Sequence, residues 1–219
     1  MVWVTGACGL LGSELSLLLM QNGIPFVATG HEVDIADPHA IDLFVAQIHT
    51  AKGERRDRIS WIVNCAAYTE VDRAEEEPEE AYSTNTDGPA NLARVAAREG
   101  SVLIHLSTDY VFDGTKGFPY TEADEPHPLS VYGKSKYEGE NRIREILPQH
   151  LILRTSWLYG RKSRGFVWKV SRAVAEGRAF AAPSDRIGSP TWAKSLAEAI
   201  VSVIVKGTGS ALPYGIWHC

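Results

Sequence analysis

Tyr132 and Lys136 stand four residues apart in "VYGKSKYEGE", so a helix over this stretch puts both on one face. An ammonium near a phenol stabilises the phenolate and lowers a pKa of about 10. That would make Tyr132 an acid–base group near neutral pH. Upstream, the apolar run "VLIHL" leads into "STDYVFDGT", which places Ser107, Thr108 and Asp109 at a strand end. A threonine hydroxyl there can donate a hydrogen bond to a carbonyl oxygen gaining negative charge. Two hydroxyls and an amine at one sheet edge can therefore move a proton to a carbonyl. Taken singly, the Tyr-xxx-Lys pair reads as two surface residues and Thr108 as a cap. The elements that position them decide.

Apolar, β-branched runs alternate with amphipathic stretches along the chain. "VWVTG", "PFVATG", "RISWIVNCAA", "SVLIHLST" and "HLILRTSW" read as strands. Between them "LLGSELSLLLMQNG", closed by Asn22-Gly23, and "PHAIDLFVAQIHTA" read as helices, as does "VYGKSKYEGENRIREIL". "EPEEAYSTNTDGPANLARVAAREG" reads as one long helix broken near Gly88-Pro89. Continuous apolar strands alternating with helices predict an α/β fold, a doubly wound parallel sheet of the Rossmann kind. After Trp157 the pattern loosens. "GRKSRGFVWKVSRAVAEGRAF" suggests a helix of a smaller lobe, "SPTWAKSLAEAIVSVIVKG" another helix, and "YGIWHC" a strand. The expected division is a dinucleotide-binding domain over 1–156 and a small, partial C-terminal substrate lobe over 157–219, with elements returning to the first domain.

The first strand meets its helix through "TGACGLLG", with Gly6, Gly9 and Gly12 at the positions a dinucleotide turn needs. The first permits the tight turn, the second lets backbone N–H groups approach a pyrophosphate, and the third lets helix and strand pack closely. A diphosphate would then lie at the positive helix N-terminus. The spacing is GxxGxxG rather than the commoner GxGxxG, and a tight turn without ligand is the alternative. After strand two, "ATGHEVDI" offers Glu32 for an adenosine ribose, with Asp34 and Ile35 along the adenine. His31 would tolerate a 2′-phosphate, so NADH and NADPH both stay open. Ligands of such sheets bind outside the strands' carboxyl ends. Three polar sets fall there: Asn64, Ser107-Thr108-Asp109 and Arg154-Thr155-Ser156.

Composition narrows the classes. The 219 residues are 44% hydrophobic and 22% charged, ordinary for a globular chain, and the formal net charge of -5 argues against nucleic acid as partner. No apolar run is long enough for a membrane span, and no basic segment precedes "LLGSELSLLLM", so a cytoplasmic location is expected. Cys8, Cys65 and Cys219 lack metal-ligand spacing, and no metal site is expected. "EEEPEE" reads as a solvated helix start.

Together the Gly6-Gly9-Gly12 loop, "VNCAAYTEVDRAEEEP", "STDYVFDGT", "PLSVYGKSK" and "RTSWLYG" resemble the extended short-chain dehydrogenase/reductase superfamily, and within it the dTDP-4-dehydrorhamnose reductase family. The likeness runs over nearly the whole chain. It implies a Rossmann domain, NADPH or NADH, and a nucleotide-sugar substrate whose 4-keto group is reduced. By motif match, Thr108, Tyr132 and Lys136 become the catalytic set. Tyr132 would protonate the C4 oxygen, and Lys136 would hold the nicotinamide ribose. Cofactor contacts would come from Gly6, Cys8, Gly9, Leu10, Leu11, Gly12, Asp34, Ile35, Cys65, Ala66, Ala67 and Tyr68. Thr108, Asp109, Tyr110, Val111 and Trp157 would face the substrate, although a buried core tryptophan is the alternative for Trp157. Asn85 matches an asparagine that braces the active-site strands. A homodimer belongs to the same expectation. The chain departs from the family in three places. Its C-terminal region is shorter, Gly165 stands where Asn is common, and Lys194 stands opposite Glu14 where a second carboxylate would hold Mg²⁺. An epimerase or dehydratase of the superfamily, or a non-catalytic regulatory subunit, are the competing readings.

Overall fold

Each apolar run becomes a strand of one sheet because its side chains alternate between two helical layers. In this computed structural model, residues 1–50, 58–161, 165–182, 187–207 and 212–219 are described. Strand β1 (Val2–Thr5) passes through the glycine turn to helix α1 (Leu10–Gln21), then to β2 (Phe26–Ala28). Helix α2 (Pro38–Thr50) leads to β3 (Trp61–Asn64), and short helices α3 (Val71–Ala74) and α4 (Pro78–Tyr82) follow. A π-helical turn over Ser83–Asp87 joins α4 to α5 (Gly88–Glu99) without a gap. The expected break near Gly88-Pro89 thus takes the form of a π-helical turn rather than a gap, and α5 starts afresh at Gly88. Proline at a helix's first turn has no N–H to lose from the ladder, so it is tolerated there. Next come β4 (Val102–Thr108), α6 (Val131–Ile146), β5 (His150–Thr155), α7 (Phe166–Ala175), α8 (Ala193–Lys206) and β6 (Gly215–His218).

All six strands are parallel, in the order β2-β1-β3-β4-β5-β6. In β1, Trp3 enters the layer under α2, α5 and α6 with Ile41, Leu92 and Ile143. Val2 and Val4 point the other way, onto Leu11 and Leu15 of α1 and Leu196 and Ile200 of α8. This two-residue alternation is what lets continuous apolar strands be buried on both faces. Helix α8 thus lies on the α1 face and β6 extends the sheet beside β5, so both elements join the sheet that residues 1–156 build. Of the stretch read as a helix after Trp157, residues 162–164 lie outside the described residues. The chain leaves β1 to one side for β2 and returns on the other for β3, so the strand order switches between β1 and β3. The crevice at the carboxyl ends of these two strands is where such sheets take their ligands.

Candidate active site

At that switch point Gly6 has φ +63°, and a Cβ built on it would lie 2.5 Å from Ala66 N. Only glycine fits there, both for the left-handed backbone and for the close approach of the turn after β3. A Cβ on Gly12 would meet Gly6 O at 2.3 Å, so α1 starts directly against the turn. The N-cap of α1 is Gly9, with no side-chain cap and no acidic residue in the first turn. Small residues, a close backbone and a helix start left to an anion fit a dinucleotide diphosphate. Cys8 is exposed on this turn and Leu10 half-buried. Leu11 is buried against α8, which leaves its backbone for a ligand. Cys65, Ala66, Ala67 and Tyr68 follow β3 and are half-buried. Asn85 clamps that turn: its Oδ1 accepts from Tyr68 N at 2.9 Å, and its Nδ2 donates to Tyr68 O at 3.0 Å and to Ser135 Oγ of α6 at 3.1 Å. The brace therefore runs from turn to helix.

Past β2, Glu32 accepts from Gly30 N at 2.7 Å, which holds its carboxyl below the ordinary range. Asp34 is exposed and caps Ala36 N, whereas the Ile35 side chain is buried beneath Gly88.

Helix α6 brings Tyr132 and Lys136 to the same edge. It opens on Ser130, whose Oγ accepts from Gly133 N, and a Cβ on Gly133 would meet Tyr110 O at 2.3 Å. The helix N-terminus thus lies tight on the 3₁₀ turn Asp109–Val111 that ends β4. The Tyr132 hydroxyl faces that of Thr108, and its ring meets the Tyr110 ring edge-on at 5.6 Å. Lys136 is 2% exposed, and its Nζ donates to Leu106 O at 2.6 Å and lies 3.4 Å from His105 Nε2. Val111 is fully buried, so only its backbone is available to a ligand. Thr108 Oγ1 also reaches Asp109 Oδ1 at 3.2 Å, while burial pushes the Asp109 carboxyl up.

The electrostatics differ from the sequence expectation. Burial pushes the Tyr132 phenol up to about 12, and only the neighbouring Thr108 hydroxyl works against it. Lys136 is lowered to about 8, by burial first, with the charges of Glu140 and Cys65 opposing. The amine is turned to the Leu106 carbonyl and His105, so it does not counter the burial of the phenol. Desolvation outweighs the expected charge effect.

Trp157 stands at the end of β5 with φ +45°, a left-handed backbone unusual for a bulky residue. Its half-buried ring meets Phe166 edge-on at 5.0 Å and covers Gly188, where a Cβ would come within 2.8 Å of Cε2. It is not a core tryptophan. Gly160, three residues on, approaches Leu10 of the glycine turn.

Two groups escaped the sequence reading. Glu140 is fully buried and accepts from Ser107 Oγ at 2.5 Å, Arg154 Nε at 2.9 Å and Arg154 Nη2 at 2.6 Å. It ties α6 to the ends of β4 and β5. His105, also fully buried, links Asn64 to Lys136. Glu140 follows Lys136 by one helical turn, so the spacing that pairs Tyr132 with Lys136 also reaches it.

The family model described as RmlD substrate binding domain matches residues 1–219. A dTDP-4-dehydrorhamnose reductase of Streptomyces griseus is 40% identical over 217 residues, covering 98% of this chain and 68% of that protein. One from Aggregatibacter actinomycetemcomitans is 40% identical over 218 residues, 98% of this chain and 71% of its own. The chain belongs to the dTDP-4-dehydrorhamnose reductase family. A solved reductase of this name from Bacillus anthracis, in complex with NADP, superposes with a TM-score of 0.87 at 35% identity, covering 100% of this chain and 73% of its own. In this chain the glycine turn and the Thr108 and Tyr132 hydroxyls lie at the carboxyl edge of one sheet. Among the described residues no helix is long and apolar enough to cross a membrane, and no cluster of three or more His, Cys, Asp or Glu side chains could hold a metal.

Proposed function

We propose that this chain reduces the 4-keto group of dTDP-4-dehydro-L-rhamnose to give dTDP-L-rhamnose, with NADPH or NADH as reductant. The observation that carries the proposal is that the Thr108 and Tyr132 hydroxyls face each other at the sheet edge that also carries the glycine cradle. The nicotinamide cofactor, when bound, supplies the hydride. Gly6, Gly9 and Gly12 take its diphosphate, and Ala66, Ala67 and Tyr68 line its path. Tyr132 gives its phenolic proton to the C4 oxygen and is refilled from solvent. Its raised pKa keeps it protonated at neutral pH, the form a reduction needs. Thr108 donates a hydrogen bond to the same oxygen as charge develops. Lys136 holds the nicotinamide ribose. Asp109, Tyr110, the Val111 backbone and Trp157 face the nucleotide-sugar. The 157–219 segment, through Trp157 and α7, forms the sugar side of the site.

The test mixes the chain with NADPH and dTDP-4-dehydro-L-rhamnose and follows reduced-cofactor absorbance. Oxidation is expected, and Tyr132→Phe should cut kcat by about 10²-fold or more while cofactor affinity holds. Equal turnover by that variant would remove its role, and cofactor binding without turnover would favour a regulatory subunit. The reading includes a cytoplasmic homodimer, which cell fractionation and light scattering check.

A further inference from the structure

Behind Lys136 lies a line of buried polar groups that the proposed reaction does not use. Thr5, Asn64, His105 and Lys136 are each at most 2% exposed. Thr5 Oγ1 donates to Asn64 Oδ1 at 2.7 Å, and Ala66 N donates to the same oxygen at 3.0 Å. A backbone N–H can only donate, so the Asn64 amide is fixed with its oxygen toward Ala66. Its Nδ2 therefore faces His105 Nδ1, at 3.0 Å, and must donate to it. Burial keeps the His105 imidazole neutral, and the neighbouring Lys136 adds to that effect. A neutral ring that accepts at Nδ1 carries its proton on Nε2. Nε2–H thus points at Lys136 Nζ, 3.4 Å away.

This orientation discriminates between the two forms of the lysine. A free amine has a lone pair to accept from Nε2–H and a proton to give Leu106 O. An ammonium has only donors, and one of them would oppose the ring N–H. The other groups acting on Lys136 pull the opposite way: Glu140 on its own helix and Cys65 after β3 favour the charged form.

The geometry points to His105 as a positioning residue for Lys136: locked by Asn64 with Nε2–H forward, it favours the free amine over the ammonium. The inference rests on Lys136 belonging to the reaction proposed above, and it adds a device that sets that residue's protonation from the strand ends beside the glycine turn. Replacing one atom reverses the device. In Asn64→Asp the carboxylate can only accept, so His105 must carry a proton on Nδ1, and the neutral ring that burial favours then offers a bare Nε2 to Lys136.

The tests do not need turnover. In nitrogen-15 spectra of the unliganded chain, the His105 signals, assigned by their loss in His105→Phe, should show Nε2 protonated and Nδ1 bare. A pH titration of those signals should inflect near the Lys136 value of about 8 and lose that inflection in Lys136→Met. Asn64→Asp should swap the tautomer and move the inflection up by about one unit or more. An Nδ1–H tautomer in the unsubstituted chain overturns the inference. So does an inflection that Asn64→Asp leaves in place. The tautomer measurement needs no variant to fold beyond the one used for assignment. A chain that shows the expected spectra but oxidises no NADPH would sink the reductase reading and leave this one standing.

Discussion

Removing the Glu140 carboxylate should cost more than removing most buried residues, because it is the whole hydrogen-bonding environment of a buried guanidinium. Arg154 is 3% exposed, its Nε and Nη2 both donate to Glu140, and its Nη1 has no hydrogen-bond partner among the described residues. Among the described residues the Phe112 ring, 5.1 Å away, and the Glu122 carboxylate, which its charge helps hold down, are what else the guanidinium meets. Glu140→Ala strands that charge, at a cost of about 3–5 kcal/mol. Ser107 loses its acceptor as well, worth about 1 kcal/mol. For a chain of this size, ~2–4 °C of Tm per kcal/mol converts the stranded charge to a fall of about 6–20 °C. The double variant Glu140→Leu/Arg154→Met replaces the pair by apolar groups of similar volume and should return to within about 2 kcal/mol of the parent. Urea denaturation of Glu140→Ala, Arg154→Ala and the double alanine variant gives the coupling energy. A loss below about 1 kcal/mol in Glu140→Ala, or strict additivity in the cycle, would refute the reasoning. It would mean that water or another residue reaches Arg154 once the carboxylate is gone.

Gly12→Ala drives a Cβ to within 2.3 Å of Gly6 O and must push α1 from the turn, so NADPH affinity measured by fluorescence titration should fall about tenfold or more. Gly188→Ala places a methyl 2.8 Å from Trp157 Cε2; steady-state kinetics should show KM for the nucleotide-sugar rising while the cofactor Kd stays level. The Lys136 amine titrates near 8 in the folded chain against 10.5 when unfolded. Between these values the unfolded chain binds more protons, so stability is depressed at lower pH and climbs as pH rises, by up to ~1.4 kcal/mol per pH unit. Above pH 10 the raised Tyr132 pKa acts in reverse, since the unfolded phenol of ordinary pKa 10.0 ionises first. Urea midpoints from pH 8 to 9 should therefore rise in the parent and flatten in Lys136→Met; from pH 9 the Cys65 thiol, pushed up from 9.0 to about 12 by burial, opposes the gain.

The alternation of strands and helices, the parallel sheet and the glycine turn could all be read from the chain, because they follow from local periodicity and from positions only glycine can fill. Tyr132 with Lys136, and Thr108 at a strand end, were legible for the same reason: helix pitch and strand termination are local. What the sequence could not decide was the sign of the electrostatics. Only the packed structure sets how much water Tyr132 and Lys136 lose and where the amine turns, and it reverses the expected lowering of the phenol. Nor could spacing show that Val111 is enclosed while Trp157 is held half-open in a left-handed backbone over Gly188. Glu140 with Arg154, and His105 with Asn64, meet across 14 and 41 residues of chain. Such contacts are made by the register of neighbouring strands and the docking of a helix upon them, which no single segment encodes.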